Sequence, residues 1–322
     1  MILAGGLSTR LYPLTKTVPK PLVPVLGEPN AVHVMRYLKR FGVSEIATNV
    51  FYFADAIRSA LGNGSRWGVH LTYLDESELS GSAGAVKLME TFLQGSDPFI
   101  VIGCDDVTDL DLDALVAFHR RRNAVATIAL VERDDVSEYG VVVTADDGRI
   151  VGFQEKPARG EERSRLANTG VYVFSPGIFE RIPSATVYDF GRQVFPALQE
   201  SGAAFYGFLA RDAYWCDIGT PDEYRRVTRD LLTGAFALPD VCVKDSVWIG
   251  ERAIVAADAV VAPRSVVGDG VVIEARARVE ASIIWEDAVV GSGAIVRDSI
   301  VGKGYRIAPE ARIVGAIVAP EA

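Results

Sequence analysis

The chain has 322 residues, 49% of them hydrophobic and 23% charged, with a formal net charge of −9. This is the composition of one large folded domain or two ordinary ones, and it excludes a disordered or low-complexity chain. An acidic balance also excludes non-specific nucleic-acid binding, which needs a basic face, so an anionic substrate would have to meet a local basic cluster. No apolar run approaches the ~20 residues that span a bilayer, so no membrane contact is expected. The N-terminus goes straight into a strand and turn, so no signal peptide is read, and the native start is expected at Met1 or a few residues upstream. Cys104, Cys216 and Cys242 are far apart with no metal-ligand spacing, which points to free thiols in a reducing cytoplasm. With His33, His70 and His119 the only histidines, a histidine metal centre or a Ser-His-Asp triad has little support.

Ile2–Leu22 reads ILAGGLSTRLYPLTKTVPKPL. Apolar residues ending a strand lead into Gly5-Gly6 and a polar turn that ends at Arg10, followed by Lys16 and by Lys20 between two prolines. Small residues let a backbone approach a ligand and expose its N–H groups. An arginine and a lysine just beyond such a turn can neutralise a polyphosphate. Apolar residues at helical spacing over 30–42 predict a helix ending near Gly42. EIATNVFY from Glu45 reads as a second strand, 54–61 as a helix, and VHLTYLDE from Val69 as a third strand. Gly81-Ser82-Ala83-Gly84 opens a helix whose first-turn N–H groups are expected to face the sheet's carboxyl edge, where α/β proteins bind ligands.

Phe99–Ile102 is a continuous apolar run, predicted to be a strand buried on both faces. Asp105 and Asp106 follow at its end. A carboxylate there is a natural magnesium ligand, and Asp105 is the one selected. Asp106 should point the other way if the strand continues through it. Asp111 is read instead as the N-cap of a helix over 112–120, and the run His119–Arg122 as a solvated helix end. ATIALVERD is a strand, EYGVVVTADDGRIVGFQEKP a hairpin around Asp147-Gly148, and NTGVYVF from Asn168 another strand. In AYWCDIGTPDEYRRV, Asp217 ends a strand and Thr220-Pro221 starts a helix.

After Gly234 the pattern changes. Apolar residues recur every six positions at Val243, Ile249, Val255, Val261, Val267, Ile273, Val279 and Trp285, each followed four residues later by a second, mostly small or aliphatic one. The register is read as slipping by one near Val289 and resuming at Val290. A sustained period of six predicts a β-helix of hexapeptide turns, with about four coils. A β-sandwich would instead show period 2.

These blocks, LAGGLSTRLYPLTKTVPKPL, GSAGAVK, GCDDVTDLDL, EYGVV, FQEKP, NTGVYVF and YWCDIGTPDEY, resemble in order those of the sugar-1-phosphate nucleotidyltransferases, most closely the mannose-1-phosphate guanylyltransferase branch. The resemblance covers essentially the whole chain. It implies an α/β fold: a Rossmann-like nucleotidyltransferase domain with a mixed, mostly parallel sheet over 1–234, then a left-handed β-helix of hexapeptide repeats over 235–322. It implies transfer of a nucleotidyl group from a nucleoside triphosphate to a sugar 1-phosphate, most like GTP with mannose 1-phosphate. UDP-glucose, another NDP-sugar, or a non-catalytic regulatory subunit are the alternatives.

By the same resemblance, Leu3, Ala4, Gly5, Gly6, Gly81 and Gly84 receive the nucleotide, and Arg10 and Lys20 neutralise its triphosphate. Asp105 and Asp217 hold Mg2+. Gly140, Glu155 and Asn168 contact the sugar, and Lys156 its phosphate. A homo-oligomer formed through the β-helix is also expected.

Two departures stand out. Ser8 replaces a usual glycine, at a cost of order a kcal/mol if its φ is positive. Gly103-Cys104-Asp105-Asp106 replaces the usual Asn-Gly-Asp. A regulatory subunit would be expected to lose Arg10, Lys20, Asp105, Lys156 or Asp217, and all five are present. Acyl transfer on the β-helix commonly uses a histidine base, and no histidine follows His119. A dinucleotide-binding oxidoreductase fails on the missing G-x-G-x-x-G spacing.

Overall fold

The computed structural model describes residues 1–239 and 241–321. The chain divides into two compact units, Met1–Gly6 with Val34–Asp217, and Leu7–His33 with Ile218–Ala322. The division falls inside the glycine-rich opening, between Gly6 and Leu7.

The first unit is built on a nine-stranded sheet. Its main path runs Ile150–Glu155, Gly140–Thr144, Leu166–Phe174, Phe99–Gly103, Ile2–Leu3, Glu45–Val50, His70–Asp75, and Ala126–Glu132 joins Leu166–Phe174 and carries Phe205–Leu209 beside it. The ladders make seven strands point one way, with Leu166–Phe174 and Ile150–Glu155 running against them. The expected mixed, mostly parallel sheet is therefore present. Glu45–Val50 is buried at every position after the first, the mark of a strand covered on both faces. An aromatic column forms much of the core: Phe174, Phe190, Phe195 and Phe205 stack in sequence with centroids 4.9, 5.6 and 5.3 Å apart.

Leu166–Phe174 is irregular. Its register against Ala126–Glu132 shifts between Asn168 and Tyr172, so Thr169-Gly170 bulges from the ladder, with Gly170 at φ +81°. Bulges re-aim side chains next to sites, and this one carries Asn168.

The helix Leu112–Arg121 begins as read, with Asp111 Oδ1 accepting the Ala114 N–H at 2.9 Å. Its far end differs in one respect. Arg120, Arg121 and Arg122 are exposed, but His119 is buried. It stands on the face of Leu112 and Leu115, at helical spacing, and its ring nitrogens meet Thr127 Oγ1 at 2.9 Å and Ser175 Oγ at 3.0 Å. Burial lowers its pKa to about 4 from an ordinary 6.5.

The second unit contains the rest of the opening stretch as 3-10 turns at Thr9–Leu11, Leu14–Lys16 and Lys20–Leu22, then the hairpin Pro24–Val25 with Glu28–Pro29. Thr220 caps the helix Pro221–Thr233 by accepting the Glu223 N–H at 3.2 Å, and Gly234 ends it at φ +76°. Beyond it, short parallel strands stack into three sheets of five, four and four strands, the three-sided geometry of a left-handed β-helix.

The coil length corrects the repeat reading. Trp248 pairs with Val266, 18 residues on, but Val266 pairs with Ile283 and Ile283 with Ile300, 17 residues each. Each later coil thus contains one five-residue step. The slip lies between Val279 and Ile284, not near Val289. Ile284, stacked on Val267, takes the inward place assigned to Trp285, and Ala288 takes that assigned to Val289. Trp285 is buried but lies outside that stack.

His119 gives the fold an acid limit. Its folded pKa lies below the unfolded value, so between pH 6.5 and about 4 the unfolded chain binds a proton the folded one does not. Stability should be full above 6.5 and fall as pH drops through that window, by at most about 1.4 kcal/mol per pH unit. Denaturant unfolding of the wild type minus His119→Gln from pH 7 to 4 should show this slope; parallel curves would contradict it.

Candidate active site

A buried relay lies under the opening glycines. The Ala4 N–H donates to Asn49 Oδ1 at 2.8 Å, and Asn49 Nδ2 donates to Glu76 Oε1 at 2.6 Å. Glu76 Oε2 accepts the Ser80 N–H at 2.9 Å and also the Ser80 hydroxyl. A Cβ on Gly5 would stand 2.5 Å from Asn49 Nδ2 and 3.0 Å from Glu76 Oε1, whereas one on Gly6 would meet open space. Gly5 is therefore glycine because the relay passes against it, and Gly6 is the position a ligand can approach. Asn49 and Glu76 are both buried, and the sequence reading missed them along with Ser80. The available signal was a polar residue near the end of each of two adjacent apolar strands.

The relay ends where the helix Gly81–Leu88 begins. Two of its first-turn amides are taken by a backbone carbonyl. Ala83 N–H and Gly84 N–H both donate to Tyr188 O at 3.0 Å. Gly81, at φ +79°, would place a Cβ 2.4 Å from that same carbonyl, and Gly84 would place one 2.9 Å from Ser80 Cβ. Gly81 is thus required by close packing against Tyr188, and Gly84 by Ser80, with Thr186 O 3.2 Å from the same Cβ. Gly84 also borders a cavity of about 340 Å³ with Ser80, Lys87, Pro183 and Thr186.

At the end of Phe99–Gly103 the chain turns at Cys104-Asp105 before resuming as Asp106–Thr108. Because the strand does not run through, Asp106 does not point away from Asp105. A Cβ on Gly103 would lie 2.6 Å from Asp105 Oδ1 and 3.0 Å from Asp106 Oδ2. Asp217 pairs with Asp106 across an antiparallel ladder. Asp106 is the buried member, and its oxygens accept Trp215 Nε1–H at 2.9 Å and Gly103 N–H at 2.9 Å. Burial first, then the neighbouring Asp105 and Asp217 charges, push its carboxyl well above the usual range, against the pull of those two hydrogen bonds. Tyr139 OH donates to Asp217 Oδ1 at 3.4 Å.

The residues expected at the sugar also come together. Gly140 pairs with Glu155, and a Cβ on Gly140 would lie 3.4 Å from Asn168 Cβ. Asn168 donates to Tyr172 OH at 3.1 Å and accepts the Gly170 N–H at 2.9 Å, which fixes its amide. Gly170 in turn would place a Cβ 3.8 Å from Asp106 Oδ2, linking the sugar cluster to the carboxylates. Burial and then the Asp189 charge raise the Glu155 pKa, while Lys156 and Arg192 pull it down. Arg192 is a further cation near Glu155 that the sequence reading did not single out. Lys156 holds φ +46°, a strained backbone for a non-glycine residue.

Arg10 and Lys20 belong to the second unit, Arg10 exposed and Lys20 half-buried in the 3-10 turns already described. Ser8 adopts φ +55°, ψ +36°, so the positive φ is kept without glycine. Thr15 Oγ1 donates to Ser8 O at 2.7 Å, which helps hold the loop in that conformation.

Among the described residues, no three His, Cys, Asp or Glu side chains converge as a ready metal cage. Asp105 and Asp217 are hard oxygen donors, and both of their charges bear on buried Asp106. That fits an ion such as magnesium, which keeps waters and takes one or two carboxylates plus substrate phosphates.

The nucleotidyl transferase family model matches residues 1–234, and the GMPPB C-terminal domain model matches 243–322. The chain belongs to the nucleotidyl transferase family. It is similar to a UTP–glucose-1-phosphate uridylyltransferase of Synechocystis, 35% identical over 99% of this chain and 86% of that one. It is also similar to a mannose-1-phosphate guanylyltransferase of Mycobacterium tuberculosis, 31% identical over 92% of this chain and 82% of that one. Among solved structures, HddC from Yersinia pseudotuberculosis, complexed with GMP-PN, aligns with a TM-score of 0.61 at 30% identity over 70% of this chain and 96% of that one. The chain is a sugar-1-phosphate nucleotidyltransferase, an enzyme that makes an NDP-sugar and pyrophosphate, and nucleotidyltransferases of this family generally use a divalent metal.

The relay makes a signed prediction. Glu76→Ala leaves the Asn49 amide and the Ser80 N–H without their buried acceptor, at a cost of about 1–3 kcal/mol. Urea unfolding should show that loss, and a smaller one for Glu76→Gln. An unchanged midpoint for Glu76→Ala would contradict the relay.

Proposed function

We propose that the protein joins GTP and mannose 1-phosphate to give GDP-mannose and pyrophosphate, with magnesium as its metal. The observation that carries this reading is the match of the tail, residues 243–322, to the GMPPB C-terminal domain, alongside the mannose-1-phosphate guanylyltransferase relatives. UDP-glucose synthesis is the second reading, favoured by the Synechocystis relative. The cytoplasm is the compartment of this reading, with Cys104, Cys216 and Cys242 as thiols. Self-association through the β-helix belongs to the same reading, supported by the exposed Ile254 and Val260.

The chemistry asks little of acid–base groups. The phosphate of a sugar 1-phosphate is ionised at neutral pH and attacks the α-phosphorus as pyrophosphate leaves, so no general base is needed. What is needed is in-line positioning and neutralisation of two anions. The exposed backbone at Gly6 admits the nucleotide, while Leu3, Ala4 and Gly5, seated on the Asn49–Glu76 relay, fix where that backbone stands. Gly81 and Gly84 set the start of the neighbouring helix. Arg10 and Lys20 supply positive charge to the triphosphate. Glu155 and Asn168 orient the sugar, Gly140 leaves room beside them, and Lys156, with Arg192, meets the sugar's phosphate. Asp105 and Asp217 would hold magnesium, which when bound withdraws charge from phosphate oxygens.

The direct test is pyrophosphate release with magnesium, each nucleoside triphosphate and a panel of sugar 1-phosphates. GTP with mannose 1-phosphate should be the best pair. UTP with glucose 1-phosphate giving the higher kcat/KM would select the second reading. Asp105→Asn should lower kcat at least about 100-fold, or ~2.7 kcal/mol, with the fold kept, because it removes a charge beside buried Asp106; near-normal kcat at saturating magnesium would refute the metal assignment. Lys156→Ala should mainly raise KM for the sugar phosphate, and an unchanged KM would remove its role.

A further inference from the structure

The strongest unexplained feature lies within the second unit, between the β-helix and the segment that follows Lys20. Tyr224, on the helix Pro221–Thr233, is fully enclosed. Its hydroxyl donates to Pro24 O at 2.5 Å and accepts Trp285 Nε1–H at 3.0 Å. The two rings meet edge to face, with centroids 6.3 Å apart. Burial pushes the phenol's pKa up, so it stays protonated and keeps donating to the carbonyl. Trp285 is the residue that falls just after the five-residue step of its coil. That step gives the inward place to Ile284, leaving the indole to reach Tyr224.

A second grip lies on the same hairpin. Gly27 has φ +81°, and a Cβ there would fall 2.0 Å from Trp248 Cη2. Trp248 belongs to the first coil of the β-helix. The hairpin Pro24–Pro29 is therefore held at its first residue by a hydrogen bond and at its turn by an indole ring. Further contacts stiffen it: Asn30 N–H donates to Val23 O at 3.0 Å, and His33 Nε2 lies 2.9 Å from Val25 O. Lys20 stands four residues before Pro24, in the 3-10 turn Lys20–Leu22 whose carbonyl at Lys20 accepts the Val23 N–H at 3.1 Å. Fixing Pro24 fixes the frame from which the Lys20 side chain extends.

We propose that the Trp285–Tyr224–Pro24 hydrogen-bond chain, with Trp248 over Gly27, positions the Lys20 segment for the nucleoside triphosphate, so that the β-helix is part of the substrate machinery. Phenylalanine at 224 would keep the ring packing without the hydroxyl. What the hydroxyl and the indole N–H add is direction, because buried polar groups satisfied only by one another specify a single arrangement. Tyr224, Trp285 and Trp248 are positioning residues, acting through the backbone at Pro24 and Gly27. The proposal rests on the assignment of Lys20 to the triphosphate.

The test compares full-length Tyr224→Phe and Trp285→Phe with Val290→Ala, a buried core position on a different sheet of the β-helix. Amide hydrogen exchange is read over residues 18–26, and steady-state kinetics with GTP and mannose 1-phosphate. In both phenylalanine variants, exchange over 18–26 should quicken at least about tenfold and KM for GTP should rise roughly 5- to 50-fold. KM for the sugar phosphate should stay within about twofold. Val290→Ala, at a similar fall in melting temperature, should leave exchange over 18–26 and KM for GTP as in the wild type. Unchanged exchange and unchanged KM for GTP in the phenylalanine variants, with wild-type turnover intact, would overturn the relay alone. The same changes in Val290→Ala would reduce it to general stability and overturn it too. A wild-type protein that releases no pyrophosphate from any substrate pair would remove the triphosphate reading, and the proposal with it.

Discussion

Three carboxylates crowd one edge of the sheet, and the middle one is buried away from water. Asp106 is 5% exposed, with Asp105 beside it across Gly103 and Asp217 opposite it on the next strand. Its two hydrogen bonds, from the Trp215 indole and the Gly103 amide, do not offset the loss of solvation and the two neighbouring charges. The proposed cation, held by Asp105 and Asp217 with substrate phosphate, would sit beside this buried group. The short ladder Trp215–Asp217 with Asp106–Thr108 is what holds these groups together.

Around this edge the glycines divide by role. Gly6 gives access. Gly5, Gly81 and Gly103 meet an amide, a backbone carbonyl and a carboxylate where a Cβ would stand, and Gly84 meets the Ser80 side chain. A glycine motif in sequence reads as a ligand cradle, but much of this one is the imprint of the packing beneath it. The Asn49–Glu76 relay ties the opening strand to the Gly81 helix, so two stretches assigned to the nucleotide share one buried carboxylate.

The fold was legible because its signals are periodic or local. The six-residue repeat announced the β-helix, and Asp111 and Thr220 announced helix starts. What stayed hidden depends on partners distant in sequence. Nothing local distinguishes a six-residue step from a five-residue one at Val279–Ile284, so Trp285 was read as a core position. His119 looked like part of a charged helix end because its neighbours are arginines, though its face is that of Leu112 and Leu115. Asp106 was set aside on an alternation rule that holds only while a strand continues, and the chain turns at Cys104-Asp105. The residues assigned to the sugar were found by resemblance to a family, not by spacing: Gly140, Glu155 and Asn168 sit on three strands, and only the ladders and the bulge at Thr169-Gly170 show how they meet.

The central claim is that the crowded carboxylate edge binds its nucleotide through a shared cation. Calorimetric titration of GTP into the protein, with magnesium and again with EDTA, tests it most directly when repeated on Asp217→Asn. Tight binding that requires both the metal and Asp217 is the predicted result. An equal dissociation constant with EDTA, or in Asp217→Asn with magnesium present, would contradict it.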